Sequence, residues 1–296
     1  MADSPAGRIV TVANQKGGVG KTTTAINLAA CLGRDGLRVL LVDFDAQANA
    51  TSGLGQREAA ETRNIYRVLT GEQPIDDCVL DTGCANLWLI GSTPDLAGAE
   101  TELMEVAGRY TALRERLAGL GTTFDYTIID CPPALSLLTV NALCAANRVL
   151  VPVQCEYYAL EGLSQLIRTL NLVHKKVNPR LVIDGFVLTM ADSRINLSQQ
   201  VAGEVRRFFK DKVYETVIPR NVKLSEAPGF GKPVLDYDPH SSGAEAYRAF
   251  ASEFRRRQNH AAPPAPLTVL GETTPLEGQE GKGEGQSGGT GEPVKG

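Results

Sequence analysis

The chain lacks the cysteine pattern of a metal or disulfide scaffold. Its six cysteines (Cys31, Cys78, Cys84, Cys131, Cys144 and Cys155) form no Cys-x-x-Cys pair and have no nearby histidine ligands. Several stand in apolar runs, where a thiol behaves as a small buried hydrophobe. Histidine is equally sparse: His174, His240 and His260 form no constellation, so they are read as surface residues and a zinc site is not expected. No apolar run approaches the roughly 18 residues that a bilayer span requires. Residues 1–7 are short and polar, unlike a secretory signal. The expectation is a cytoplasmic protein that does not enter a membrane.

Net charge is small, −4 over 296 residues, but it is unevenly spread. Residues 1–173 hold 19 acids and 13 bases, residues 174–260 hold 10 acids and 15 bases, and residues 261–296 hold five Glu and two Lys. A basic face can therefore exist in the last third of the folded part.

Short β-branched runs alternate with helix-period segments, the pattern of a mostly parallel, twisted β-sheet with helices on both faces. Strands are predicted at Arg8–Ala13, Arg38–Val42, Leu87–Ile90, Tyr126–Asp130, Val149–Val153, Leu181–Thr189 and Val213–Val217. The first helix is predicted from Lys21 to Asp35, with Ala25, Leu28, Ala29 and Leu32 on one face. Further helices are predicted near 99–119, 136–145, 159–176, 196–210 and 241–257. One domain over residues 1–258 accounts for this pattern. The segment 259–296 is rich in Gly, Pro and Glu and is expected to be a disordered tail.

Between the first strand and first helix stands Lys16-Gly17-Gly18-Val19-Gly20-Lys21-Thr22-Thr23. Glycines there let backbone N–H groups converge on phosphate oxygens, and the helix N-terminus adds partial positive charge. Lys21 should reach the β- and γ-phosphates and the Thr22 hydroxyl should ligate Mg²⁺. The usual phosphate-loop spacing requires glycine at position 15, where this chain has Gln15, and an additional lysine opens the loop. Two strands then end in acids. Val42-Asp43-Phe44-Asp45-Ala46-Gln47 puts two carboxylates beyond a buried strand. Ile128-Ile129-Asp130-Cys131-Pro132-Pro133 is an apolar strand ending in one, with Asp130 placed to hold Mg²⁺ through water.

The loop K-G-G-V-G-K-T resembles the deviant Walker A motif of the ParA/MinD/nitrogenase-reductase superfamily. Three further stretches resemble its chromosomal ParA/Soj group: Val151 to Gly162, Thr189 to Arg194, and Ile218 to Pro228. The resemblance covers about Arg8 to Arg255 and implies a P-loop ATPase using ATP and Mg²⁺. It implies that Lys16 acts on the ATP of a partner subunit, with Gly17 where two loops approach, in an ATP-dependent homodimer. A second cation delivered on dimerisation would act as an arginine finger does. Within the segment resembling the D-x-D-P-Q switch, Asp45 would position or activate the attacking water and Asp43 would lie near the Mg²⁺ shell. Ala46 stands where the family has proline. Pro219 and Asn221 would flank and read adenine.

Arg194 and Arg220 match positions implicated in binding double-stranded DNA, with Arg206, Arg207, Lys210, Lys212, Lys223 and Arg248 as further candidates. No helix-turn-helix precedes the loop, so the contacts expected are to phosphates, without sequence specificity. The implied biology is chromosome or plasmid segregation on the nucleoid, with hydrolysis stimulated by a centromere-binding ParB-type partner. The alternative is a MinD-like regulator of cell-division positioning. It would need an amphipathic membrane helix at the C-terminus, which the Gly/Pro/Glu-rich composition does not supply.

Overall fold

A computed structural model describes residues 8–156 and 159–260. Tyr157, Tyr158 and residues 261–296, which hold nearly all of the expected tail, lie outside them. The strands are β1 (Arg8–Val12), β2 (Val39–Asp43), β3 (Leu80–Asp81), β4 (Leu87–Ile90), β5 (Tyr126–Asp130), β6 (Arg148–Gln154), β7 (Val182–Ala191) and β8 (Val213–Pro219). They form one sheet in the order β3-β4-β2-β5-β1-β6-β7-β8. Only the β3–β4 pair is antiparallel. The helices are α1 (Lys21–Arg34), α2 (Asn49–Gly53), α3 (Arg57–Ala60), α4 (Ile65–Thr70), α5 (Leu96–Met104) and α6 (Ala112–Ala118). There follow α7 (Leu137–Ala145), α8 (Ala159–Lys176), α9 (Asn196–Phe209), α10 (Val222–Glu226), α11 (Val234–Tyr237) and α12 (Ser242–His260).

The central strands are mostly apolar and β-branched because both faces are covered. Along β2, Leu40 and Val42 enter one core with α4 to α9, while Val39 and Leu41 enter the other with α1 and α12. The α1 stripe Ala25, Leu28, Ala29 and Leu32 is completely buried in that second core. The expected α/β class and the face of α1 agree with this arrangement.

The predicted helix over 99–119 is in fact two. The first ends at Met104 with Glu105 as its cap, and Gly108, at φ +85, turns the chain between them in a left-handed conformation that glycine enters at little cost. Sheet edge β8 is closed by α12. The Glu253 carboxylate accepts the N–H groups of Glu215 and Thr216, both at 2.9 Å, and Arg257 donates to the Val213 carbonyl. That capping blunts an otherwise adhesive edge.

Candidate functional site

Parallel strands carry their C-terminal loops to one edge, and the order β2-β5-β1-β6 puts the predicted motifs side by side there. Asp130, the last residue of β5, is in register with Val12 of β1 on one side and Asp43 of β2 on the other.

The loop from β1 to α1 turns through Gly18 (φ +74) and Gly20 (φ +86). A side chain at either position would strain the backbone. Gly20 is the cap residue of α1, has no side chain to offer, and no acid occupies the first turn. The first N–H groups of the helix therefore remain available to an anion. Neighbouring strands hold the loop in place. Asn14 donates to the Pro152 carbonyl (2.7 Å) and accepts from Lys16 N–H (3.1 Å), while the Thr189 hydroxyl donates to the Val19 carbonyl (2.8 Å). Met190, next in β7, has φ 51 and brings its methyl end beside Gly20.

The two lysines of the loop face different surroundings. Lys21 is 7 % exposed and donates to the Lys16 carbonyl at 3.1 Å. Burial lowers its pKa, opposed first by the charge of Asp130. Lys16 has its side chain at the surface, 3.5 Å from Glu156, and the same carboxylate lies 3.5 Å from Arg220. Glu156 stands inside the quoted Val151–Gly162 stretch without a role predicted for it; two cations meeting there from separate loops were not readable from spacing.

The carboxylates differ in the same way. Asp43 is fully buried, but Oδ2 accepts both the N–H and the hydroxyl of Thr51 (2.7 Å each) and Oδ1 accepts Asp45 N–H (3.3 Å). Thr51 in turn accepts from Ser92 N–H, tying β4 to this network. Asp45 is 7 % exposed and accepts Gln47 N–H at 3.0 Å, shaping the loop around Ala46. Asp130 is fully buried with no hydrogen-bond partner at either oxygen. Burial raises its pKa well above the carboxylate range, with Asp43 adding to the effect and the neighbouring Thr22 hydroxyl and Lys21 opposing it.

Beside the loop lies a cavity of about 540 Å³ lined by Gly20, Thr23, Asn27, Met190, Pro219 and Asn221 among others, a nucleoside-sized space. The Asn221 amide caps α10 by accepting Lys223 N–H (2.8 Å) and donates to Ser242 (2.7 Å). One acceptor and one donor capacity of the carboxamide remain. Arg194 sits apart on the β7–α9 loop, 86 % exposed, and grips Asp192 through two nitrogens at 2.9 and 2.7 Å. Those bonds depress Asp192 to about 2, so the pair carries little net charge. The structure thus assembles the phosphate-loop residues, Asp43, Asp45 and Asp130 at one edge, brings Lys16 and Arg220 to one carboxylate, and leaves Arg194 on its own loop. Sequence spacing did not reveal Thr51, Ser92, Asn14 or Thr189, which act only through tertiary contacts.

Among the described residues no helix is long and apolar enough to cross a membrane. A family profile described as an AAA domain matches residues 7–183. The chain is 54 % identical over 247 residues to the sporulation initiation inhibitor protein Soj of Bacillus subtilis, spanning 83 % of this chain and 98 % of that one. It is 52 % identical to the chromosome partitioning protein ParA of Myxococcus xanthus, over 87 % of this chain and 91 % of the relative. A solved structure of cobyrinic acid a,c-diamide synthase from Mycobacterium smegmatis, with bound ADP and magnesium, superposes with TM-score 0.76 and 38 % identity, covering 88 % of this chain and 99 % of that one. With the phosphate loop, the two acid-ended strands and this degree of identity together, the chain belongs to the ParA/Soj family of partitioning ATPases.

Proposed function

We propose that the chain hydrolyses ATP with Mg²⁺, that ATP joins two copies face to face, and that the joined form binds double-stranded DNA without sequence preference until a ParB-type partner stimulates hydrolysis. The working unit is residues 1–258, acting at the nucleoid in chromosome or plasmid segregation. The observation that carries this reading is the opposed placement of the loop lysines. Lys21 is turned inward to meet the phosphates of its own site, whereas the Lys16 side chain is 35 % exposed beside the exposed Gly17 and Gly18, held only by the half-exposed Glu156, which it can exchange for a second copy.

The residues present fit the metal. No cluster of three or more His, Cys, Asp or Glu among the described residues could hold an ion unaided, but Mg²⁺ keeps waters and phosphate oxygens and needs only one or two protein ligands. Asp130, whose oxygens make no hydrogen bond of ordinary geometry within the protein, and the neighbouring Thr22 hydroxyl offer the hard oxygens it prefers. Asp43, held by Thr51, is assigned to the surroundings of that ion and to fixing the switch loop. When bound, Mg²⁺ neutralises charge developing between the β- and γ-phosphates. Asp45 orients the attacking water, Lys21 and the N–H groups of α1 bind phosphate oxygens, and Lys16 adds a cation to the partner's site. Pro219 packs on adenine while Asn221 reads its edge. Arg194 and Arg220 contact DNA phosphates.

The test is co-sedimentation of the full chain with duplex DNA without nucleotide, with ADP and with ATP, at several salt concentrations. Binding is expected with ATP alone. If the dimer neutralises about four to six phosphates, log K falls against log salt with a slope of roughly −4 to −5. Equal affinity with ADP and ATP would overturn the reading.

A further inference from the structure

Among the described residues, the buried side-chain polar atoms that lack a hydrogen-bond partner are Gln15 Nε2, Ser136 Oγ and the two oxygens of Asp130. A buried polar atom left unpaired costs about 1–3 kcal/mol, and folded proteins leave few of them. Here they fall at the C-terminal ends of two adjacent strands, Asp130 as the last residue of β5, and Gln15 and Ser136 on the loops that follow β1 and β5. Such grouping is the signature of a site whose partner atoms arrive with a ligand. Asp130 is accounted for by the metal; Gln15 and Ser136 are not.

Ser136 carries a second mark. It occupies the cap position of α7 with extended backbone (φ −83, ψ 178), where serine ordinarily bonds the helix's own N–H groups, yet its hydroxyl makes no such bond. The Leu138 N–H that it could cap is instead taken by Glu100 at 3.3 Å. The hydroxyl is therefore kept for another acceptor. Gln15 stands where the usual loop spacing has glycine, and its neighbours Asn14 and Lys16 are bonded to each other and to β6, which leaves the Gln15 amide as the unpaired donor of that turn. Ser136 follows Asp130 on the loop after β5, and Gln15 stands on the loop after β1, the neighbouring strand.

We propose that Gln15 and Ser136 donate hydrogen bonds to the terminal phosphate of the bound triphosphate, so that the site distinguishes ATP from ADP through groups beyond Lys21 and Thr22. The inference rests on the ATPase reading above. Its consequence is a trade between states. Each donor destabilises the nucleotide-free protein and is satisfied only by the γ-phosphate, so removing it should stabilise one state and weaken the other.

The experiment compares the full chain with Gln15→Met, close in shape but without the donor, and with Ser136→Ala. Thermal midpoints are recorded without nucleotide, and titration calorimetry gives affinities for Mg·ADP and for Mg with a non-hydrolysable ATP analogue. Nucleotide-free midpoints equal to or above wild type are expected. Analogue affinity should fall roughly tenfold per lost charge-assisted bond, with ADP affinity within about twofold of wild type. A lowered nucleotide-free midpoint would assign the groups a structural role and overturn the proposal. So would a parallel loss of both nucleotides, or unchanged affinity for both. A wild-type chain that bound neither nucleotide would instead remove the ATPase reading, and the proposal with it.

Discussion

Asp130 and Asp184 are both buried carboxylates in the same sheet, and in both burial raises the pKa. Asp130 ends β5 at the loop-bearing edge; Asp184 is near the start of β7, at the opposite end of the sheet. Asp184 accepts from the Tyr214 hydroxyl and the Gln258 amide and pairs with Arg148 at 3.4 Å. Asp130 lacks such a set: neither oxygen has a partner at ordinary hydrogen-bond geometry, and the nearby Thr22 hydroxyl and Lys21 only partly offset its burial. Burial and a shifted pKa therefore do not separate a structural acid from a functional one. The partner count does, because a buried carboxylate that the fold does not satisfy is retained for something the fold does not contain.

Exchanging the two acids for alanine should produce opposite phenotypes, and this is the largest effect expected. Asp184→Ala strands Tyr214 and Gln258 as buried groups without an acceptor, and should cost about 3 kcal/mol of stability in a denaturant titration. Nucleotide affinity of the folded fraction should be unaltered. Asp130→Ala removes an unsatisfied buried acid, so the nucleotide-free protein should be no less stable, while the magnesium dependence of nucleotide binding disappears. If Asp130→Ala unfolded the chain, or Asp184→Ala abolished nucleotide binding, the distinction would fail.

A second contrast lies at the surface. Arg220 shares its carboxylate with Lys16, both contacts at 3.5 Å, whereas Arg194 holds Asp192 in a close two-nitrogen grip. A DNA phosphate competing for Arg194 must displace or share Asp192. Arg194→Glu should weaken ATP-dependent DNA binding and make the log–log salt slope less negative by about 1. Asp192→Asn should do the reverse, strengthening DNA binding, with ATP-driven dimerisation intact in both. Unchanged DNA affinity in the two variants would take Arg194 out of the contact surface.

The raised pKa of Asp184 also has a sign that can be tested. The folded state holds this proton more tightly than the unfolded state, so the contribution is fully present below the unfolded value of about 3.9. It declines as pH rises through the folded value. The stability difference between wild type and Asp184→Asn should therefore favour wild type most in acid and shrink as pH rises above about 4. A difference growing with pH would mean that Arg148 and the two hydrogen bonds outweigh burial.

The sheet was readable because both-face burial writes β1, β2, β4, β5, β6 and β7 as runs rich in apolar and β-branched residues, and the phosphate loop because its glycines and lysines are local in sequence. Local patterns failed where structure is short or held from afar. Strand β3 has two residues and owes its pairing to β4. Helices α2, α3, α10 and α11, four or five residues each, are too short to show a period. In the site, Asp130 was visible as a strand-ending acid, but its lack of partners depends on which side chains come near it. The link from Lys16 through Glu156 to Arg220 joins residues far apart in the chain. Gly108, by contrast, was in plain view within the predicted 99–119 helix, and its freedom to take the positive φ it shows in the connection between α5 and α6 was a signal that a break was available there.

The smallest expected effect concerns where the folded unit ends. Phe250 and Phe254 of α12 are completely buried in the α1-side core, Arg257 bonds the β8 carbonyl of Val213, and Gln258 reaches Asp184. Everything described as packing against the sheet is thus complete by Gln258. A chain stopped after residue 260 should keep wild-type stability and ATPase rate, in line with the composition of 261–296. A chain stopped after residue 257 loses one donor to the buried Asp184 and should be destabilised by about 1 kcal/mol, with its nucleotide affinity unchanged. Measured side by side, those two truncations place the boundary to within three residues, and a loss of ATPase activity in the longer one would show that the last 36 residues serve the site after all.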